Sequence, residues 1–295
     1  MVLAVLTSFD GGRLFGQVHG SGAPRVLALH GWRRDHRDFD KVLGGEGANG
    51  VTTNAAVVEA GTTELPRSAS DDGLGAGALP AIALDLPGFG ASPVPEEPWG
   101  SPDYARVIAA VLDDMESPVV VIGHSFGGRV AVHLAADHPD KVLGLVLTGA
   151  PLFAAASVSG APTRPRRPPV RYRLGRSLAN IGLLGPDGLE QLKQKYGSAD
   201  YRAATGVMRD VLVKAIAEER DEAYTPSLRA ITCPVELVWG ELDTAVPPAV
   251  ATRIASTLNA PSTLTVHSGV GHLTPLLIPG HLRGAIDRLL ATERG

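Results

Sequence analysis

The chain has 295 residues, of which 44% are hydrophobic and 20% charged, a composition that suits one large α/β domain or two small ones in a globular protein. A formal net charge of −4 argues against a nucleic-acid partner, and no apolar run reaches the roughly 18 residues that a membrane span needs. The single cysteine, Cys233, excludes an intrachain disulfide and a cysteine-based zinc cluster, and Met1 to Asp10 shows neither a basic region nor a cleavage site, so the expected location is cytoplasmic.

In chain order, Val2 to Ser8 and Arg13 to His19 flank Asp10-Gly11-Gly12, which predicts a hairpin. Arg25 to His30 reads as an apolar strand and Asp35 to Leu43 as a short helix. Residues 44–79 are rich in Gly, Ala, Thr and Ser without sustained periodicity, and read as a flexible surface insertion in which Val51 to Glu59 could form a short ordered piece. Ala81 to Leu86 is a buried-type strand that ends in the turn Asp85-Leu86-Pro87-Gly88-Phe89-Gly90. Asp103 to Glu116 has the spacing of an amphipathic helix. Ser117 to Ile122 is a β-branched apolar run, hence a strand covered on both faces, and Gly128 to Ala136 is helical in composition. A strand follows at Val142 to Thr148.

From Pro151 to about Pro226 the alternation breaks. Arg164-Pro165-Arg166-Arg167-Pro168-Pro169 excludes regular helix or central strand, and helices are predicted at Leu174 to Leu184, Asp187 to Tyr196 and Ala203 to Glu219. This is a helical insertion between two sheet strands, and its Arg164, Arg166, Arg167, Arg171, Arg173 and Arg176 form a cationic stretch. The sheet resumes with Val235 to Trp239, preceded by Cys233 as a buried thiol. A helix at Pro248 to Leu258, a strand at Ser262 to His267 and a final helix over Pro275 to Thr292 complete the chain. Strands alternating with helices predict a mostly parallel sheet with right-handed crossovers.

The chemistry concentrates at Gly123-His124-Ser125-Phe126-Gly127, a G-x-S-x-G pattern placed between a strand and a helix, where the turn must be sharp and its flanks small. A serine hydroxyl needs a base within reach and that base needs an orienting acid. Both are sought just after late strands, since open α/β sheets collect functional groups at the carboxyl ends of their strands. Asp243 follows Val235 to Gly240 by a short turn and is the candidate acid, with Glu241 and Asp221 as weaker competitors. His272, in Ser268-Gly269-Val270-Gly271-His272, is the candidate base. His267 lies inside a strand and His281 inside a helix, and both read as structural or solvated. The oxyanion that forms on attack needs two donors: the Phe126 N–H at a helix N-terminus, and the Trp32 N–H in His30-Gly31-Trp32 after the third strand. Trp32, His30, His124 and Phe126 are the candidate substrate-binding residues.

His30-Gly31-Trp32, Asp85 to Gly90, Gly123 to Gly128, Gly240-Glu241-Leu242-Asp243 and Gly271-His272 together resemble the α/β-hydrolase superfamily, over nearly the whole chain except residues 44–79. The resemblance implies a mostly parallel sheet of about eight strands flanked by helices, with a helical cap inserted after the sixth. Residues 151–226 match that cap, leaving 1–150 and 227–295 as the core. A serine at position 125 separates the chain from branches with aspartate there, and the loop His30-Gly31-Trp32-Arg33-Arg34 lacks the extra glycines of carbon–carbon bond hydrolases and many lipases. The expected activity is cofactor-free and metal-free hydrolysis of a small or medium acyl compound, an ester or thioester, through an acyl-enzyme on Ser125. A carbon–carbon bond hydrolase, lyase or perhydrolase on the same residues, or a ligand receptor on the same fold, are the competing expectations.

Overall fold

The computed structural model describes residues 6–44, 55–58, 77–158 and 199–292. Nine strands are found among them: β1 (Leu6–Phe9), β2 (Leu14–His19), β3 (Val26–Leu29), β4 (Ala55–Val58), β5 (Ala81–Asp85), β6 (Val119–His124), β7 (Val142–Thr148), β8 (Val235–Gly240) and β9 (Ser262–His267). They form one sheet in the order β1-β2-β5-β3-β6-β7-β8-β9-β4. From β5 to β9 every neighbouring pair is parallel, whereas the hairpin β1/β2, the β2/β5 pair and the β9/β4 pair are antiparallel. Nine strands stand where about eight are expected: the ninth, residues 55–58, falls within Val51 to Glu59, the part of the 44–79 insertion read as able to form a short ordered piece, and it pairs with β9 at the sheet edge.

The helices are α1 (Asp40–Leu43), α2 (Ser101–Asp113), α3 (Phe126–Asp137), α4 (Ala155–Val158), α5 (Ala199–Ala203), α6 (Gly206–Arg220), α7 (Thr225–Ala230), α8 (Pro248–Thr257), α9 (Thr274–Leu277) and α10 (Pro279–Ala291). The period-two alternation of the strands sends their side chains into two separate cores. Leu27, Leu29, Ile82, Leu84, Val119 and Val121 face α2, α3 and α8, while Val26, Ala28, Ala81, Ala83, Val120 and Ile122 face α1 and α10. Both faces of the central strands are thus covered, which is why those strands read as continuous apolar runs.

One helix was expected from Pro275 to Thr292, and the structure divides it into α9 and α10 at Ile278 (φ −135°, ψ 50°). Pro279 is the reason, because a proline ring pushes the preceding residue out of helical geometry. Between β7 and β8 the chain leaves the sheet, and α4 to α7 belong to this excursion. It is fastened to the core by a buried network. Arg129, on α3, donates to the Ala215 carbonyl (2.7 Å), the Tyr224 hydroxyl (2.9 Å) and Glu219 (2.7 Å). Glu218 accepts from the Ser101 N–H and hydroxyl and from Tyr224, at 3.0, 2.7 and 2.6 Å. The predicted helices 174–184 and 187–196, the six arginines of the cationic stretch and most of residues 44–79 lie outside the described residues. Cys233 is buried and free, and burial pushes its thiol up to about 11, so it stays protonated near neutrality. No helix among the described residues is long and apolar enough to cross a membrane.

Candidate active site

Strand order reverses at β3. β3 has β5 on one side and β6 on the other, so the loops after β3 and β6 part at their carboxyl ends, the place where such sheets open a crevice. Ser125 stands at that point, between β6 and α3, with φ 51° and ψ −114°. This backbone conformation is rare for a residue with a side chain, and it stores strain where the surrounding contacts over-determine it. A side chain at Gly127 would overlap the Leu29 carbonyl oxygen, and a Cβ at Gly123 would lie 2.6 Å from the Gly128 Cα, so α3 packs against β6 and β3 only because both positions are glycine.

The three residues expected to act together are brought together. The Ser125 hydroxyl lies 3.1 Å from His272 Nε2, and His272 Nδ1 lies 2.7 Å from Asp243 Oδ2. A carboxylate only accepts, so Nδ1 carries the proton and Nε2 presents its lone pair to the serine. Asp243 is buried, and its other oxygen accepts from the Ala245 and Val246 N–H groups at 3.0 and 2.7 Å. Both carboxylate oxygens are therefore fixed before any substrate arrives. The competing acids lie elsewhere. Glu241 accepts from the Ser268 hydroxyl and the Gly269 N–H, closing the turn after β9, and Asp221 pairs with Arg220 at the surface.

Gly149, the residue after β7, was not singled out from sequence. It has φ 56°, and a Cβ there would sit 2.9 Å from His272 Cε1 and 3.0 Å from Nδ1. The imidazole occupies the space that a side chain at 149 would take. Thr148 and Thr274, both buried, share a 2.6 Å hydrogen bond that ties the His272 loop to β7.

Phe126 opens α3, so its N–H has no acceptor within the helix. The loop carrying Trp32 is held beside it by the Gly127 N–H, which donates to the His30 carbonyl at 3.0 Å, and the chain turns sharply after Trp32 through Arg33 at φ 58°. The Trp32 ring packs edge-on against Phe89 (5.0 Å) and Phe126 (5.3 Å), making an aromatic wall next to Ser125. Arg33 reaches Asp200 on α5 at 3.7 Å, which joins this loop to the excursion.

Two of the candidate substrate-binding residues are corrected. His30 is fully buried, donates from Nδ1 to the Gly31 carbonyl (2.7 Å) and accepts the Leu86 N–H at Nε2 (2.9 Å), so both ring nitrogens serve the backbone. Burial lowers its pKa, in keeping with a neutral ring. His124 is also buried, and its Nε2 donates to the His272 carbonyl at 2.9 Å. Both ring nitrogens of His30 are thus engaged, and the remaining nitrogen of His124, Nδ1, is buried. Among the described residues, Asp35, His36 and Asp85 form the one group that could hold a metal ion by spacing. Their oxygens are already taken: Asp85 accepts from the His36 and Ala91 N–H groups and pairs with His36 Nδ1, and Asp35 pairs with Arg37.

The profile of the α/β-hydrolase fold family matches residues 73–277. The chain is 31% identical over 229 residues to the lipase LipV of Mycobacterium tuberculosis, covering 73% of each protein. It is 31% identical over 240 residues to a pimeloyl-[acyl-carrier protein] methyl ester esterase of Neisseria meningitidis, covering 76% of this chain and 77% of that one. Among solved structures, a bacterial membrane phospholipase A superposes with a TM-score of 0.64 at 18% identity, over 99% of this chain and 86% of the other, a likeness of fold. The chain belongs to the α/β-hydrolase family, and it is an esterase-like enzyme of that family.

Proposed function

We propose that this protein is a serine esterase that cleaves small or medium carboxylic esters or thioesters through an acyl-enzyme on Ser125. The observation that carries the reading is the continuous hydrogen-bonded line from Ser125 Oγ through His272 to the buried carboxylate of Asp243, at 3.1 and 2.7 Å. Relatives named as a lipase and as methyl ester esterases support an ester bond as the target.

In this mechanism Ser125 Oγ attacks the acyl carbon while His272 Nε2 takes its proton. The Phe126 and Trp32 N–H groups receive the negative charge that gathers on the carbonyl oxygen. The imidazolium then gives its proton to the leaving oxygen or sulfur, the bond to the leaving group breaks, and the acyl group stays on Ser125. Water, deprotonated by His272, attacks the acyl-enzyme and releases the acid. Asp243 keeps the imidazole in the Nδ1–H tautomer and stabilises its cation. Trp32, Phe89 and Phe126 supply an apolar wall for the acyl chain, and α6, which Arg129 ties to α3, belongs to the insertion that serves as the cap.

A panel of p-nitrophenyl esters of graded chain length tests the reading. Turnover of short or medium esters that disappears in Ser125→Ala is expected. Turnover that survives Ser125→Ala, or none on any ester with the wild type, would overturn it.

A further inference from the structure

We infer that His124 is a positioning residue that clamps the main chain of His272 and so holds its imidazole against Ser125. The inference rests on the serine-esterase reading above. His124 ends β6 and directly precedes Ser125, and strand alternation puts it on the face that carries Val120 and Ile122, beneath the His272 loop. Its ring meets that loop across 148 residues of sequence.

The chemistry of the contact is unambiguous. A carbonyl oxygen only accepts, so the 2.9 Å bond to the His272 carbonyl puts the proton of His124 on Nε2. Nδ1 is then an acceptor, buried and with no hydrogen-bond donor on it among the described residues. An orphaned buried nitrogen is a cost that a leucine or phenylalanine at this position would not incur, so packing alone does not account for a histidine here. What the histidine supplies is the Nε2–H. The same carbonyl also accepts the Thr274 N–H at 2.9 Å, which is a bond within the loop. His124, by contrast, reaches the loop from the strand that carries the nucleophile. The separation of Ser125 from His272 is thereby set by one short lever: one residue of backbone and one imidazole.

The ring also faces the other half of the site. A Cβ on Gly31 would lie 3.0 Å from Nδ1 of His124 and 3.2 Å from the Ser125 Cβ, so the imidazole sits between the loop bearing Trp32 and the loop bearing His272. The titratable groups around it are His272, whose ring centroid is 5.0 Å away, and the more distant Asp38 and Asp243. Burial, reinforced by His272, holds its pKa down to about 4. The clamp is therefore neutral while His272 becomes an imidazolium during turnover, and it adds no repulsion to that cation.

Two variants separate positioning from packing. His124→Leu keeps an apolar volume and removes the N–H; His124→Gln returns an amide N–H at a similar reach. Read kcat and KM on a p-nitrophenyl ester, the rate at which a fluorophosphonate labels Ser125, and Tm. The leucine variant should lose kcat by ~10²-fold with KM and Tm little changed, because a small misplacement of a reacting group costs about that much. Labelling should slow in parallel, and glutamine should restore most of both. A leucine variant with wild-type kcat and labelling rate, or a glutamine variant as slow as leucine, would overturn the inference. Should the variants fail to fold, nitrogen NMR of the wild-type imidazoles decides. His124 should be the Nε2–H tautomer and stay neutral down to about pH 5, and an ordinary histidine titration or the Nδ1–H tautomer would refute the clamp. Failure of the esterase reading looks different, since the wild type itself would then neither turn over esters nor label at Ser125.

Discussion

The base-and-acid side of the cleft and the junction between the sheet and the excursion after β7 are held by different forces. On the first side the contacts are short, mostly buried and largely neutral at their outer ends: backbone N–H groups on Asp243, the Thr148–Thr274 hydroxyl pair, and His124 on the His272 carbonyl. At the junction charged side chains do the fastening: Arg129 pairs with Glu219 and Arg33 with Asp200, and Glu218 accepts from Ser101 at the start of α2. Neutral buried bonds fix distance and are insensitive to salt, whereas an ion pair depends on its partner's charge and on its depth. Neutral buried bonds thus surround His272 and Asp243, and charged side chains fasten the excursion.

The sharpest way to break the first side is to remove its members. Ser125→Ala or His272→Ala should each lower kcat by about 10⁶, and Asp243→Asn by about 10⁴, if the three act as in other serine hydrolases. Asparagine could still accept the Ala245 and Val246 N–H groups, but its amide would face His272 Nδ1 and impose the wrong tautomer. Near wild-type kcat in Asp243→Asn would place the orienting acid elsewhere. The junction is tested by Arg129→Leu, which strands Glu219 beside a buried tyrosine. A loss of about 3 kcal/mol in denaturant unfolding is expected, the low end for breaking a buried pair because Glu219 is partly exposed. The labelling rate of Ser125 in the folded variant should stay close to wild type; a variant of unchanged stability would show that the junction is not held by this charge.

Gly149→Ala strikes the first side without removing any functional group. The new methyl would crowd the His272 ring in a left-handed backbone, so kcat should fall on the order of 10² while the fold loses about 1–2 kcal/mol. Wild-type kcat there would mean that His272 has room to spare. The smallest and broadest effect is on acid stability. Burial lowers the pKa of His19 and His124 to about 4 each and also lowers those of His30 and His133. Since the folded state holds these rings neutral, their share of stability is complete above the unfolded value of about 6.5 and drains away as pH falls from there toward about 4. Tm measured from pH 8 downward should hold until about 6.5 and then decline, and His19→Gln should make the decline shallower. A Tm that rises across that window would contradict the buried neutral rings.

Much of this arrangement is legible in the sequence because it is local. The hairpin around Asp10-Gly11-Gly12, strand β7 at Val142 to Thr148 and the G-x-S-x-G turn each follow from a few adjacent residues. The three residues that meet at the cleft were found one by one, each at the carboxyl end of its own strand, because parallel sheets collect those ends on one side. The rest depends on partners far along the chain. Residues 55–58 show no periodicity of their own, and their partner strand is β9. The rings of His30 and His124 could not be oriented from the motif that contains them, because their acceptors and donors include Leu86 and His272. The break at Ile278, by contrast, was within reach of sequence reasoning: Pro279 announces it.

Capture of the acyl-enzyme on Ser125 tests the proposed function most directly. An acid-quenched reaction of the wild-type protein with a p-nitrophenyl ester, analysed by peptide mass mapping, should show the acyl mass on the peptide containing Ser125 and a burst of p-nitrophenol of about one equivalent per chain where deacylation is slow. An acyl group found on another residue, or steady turnover that persists undiminished in Ser125→Ala, would contradict it.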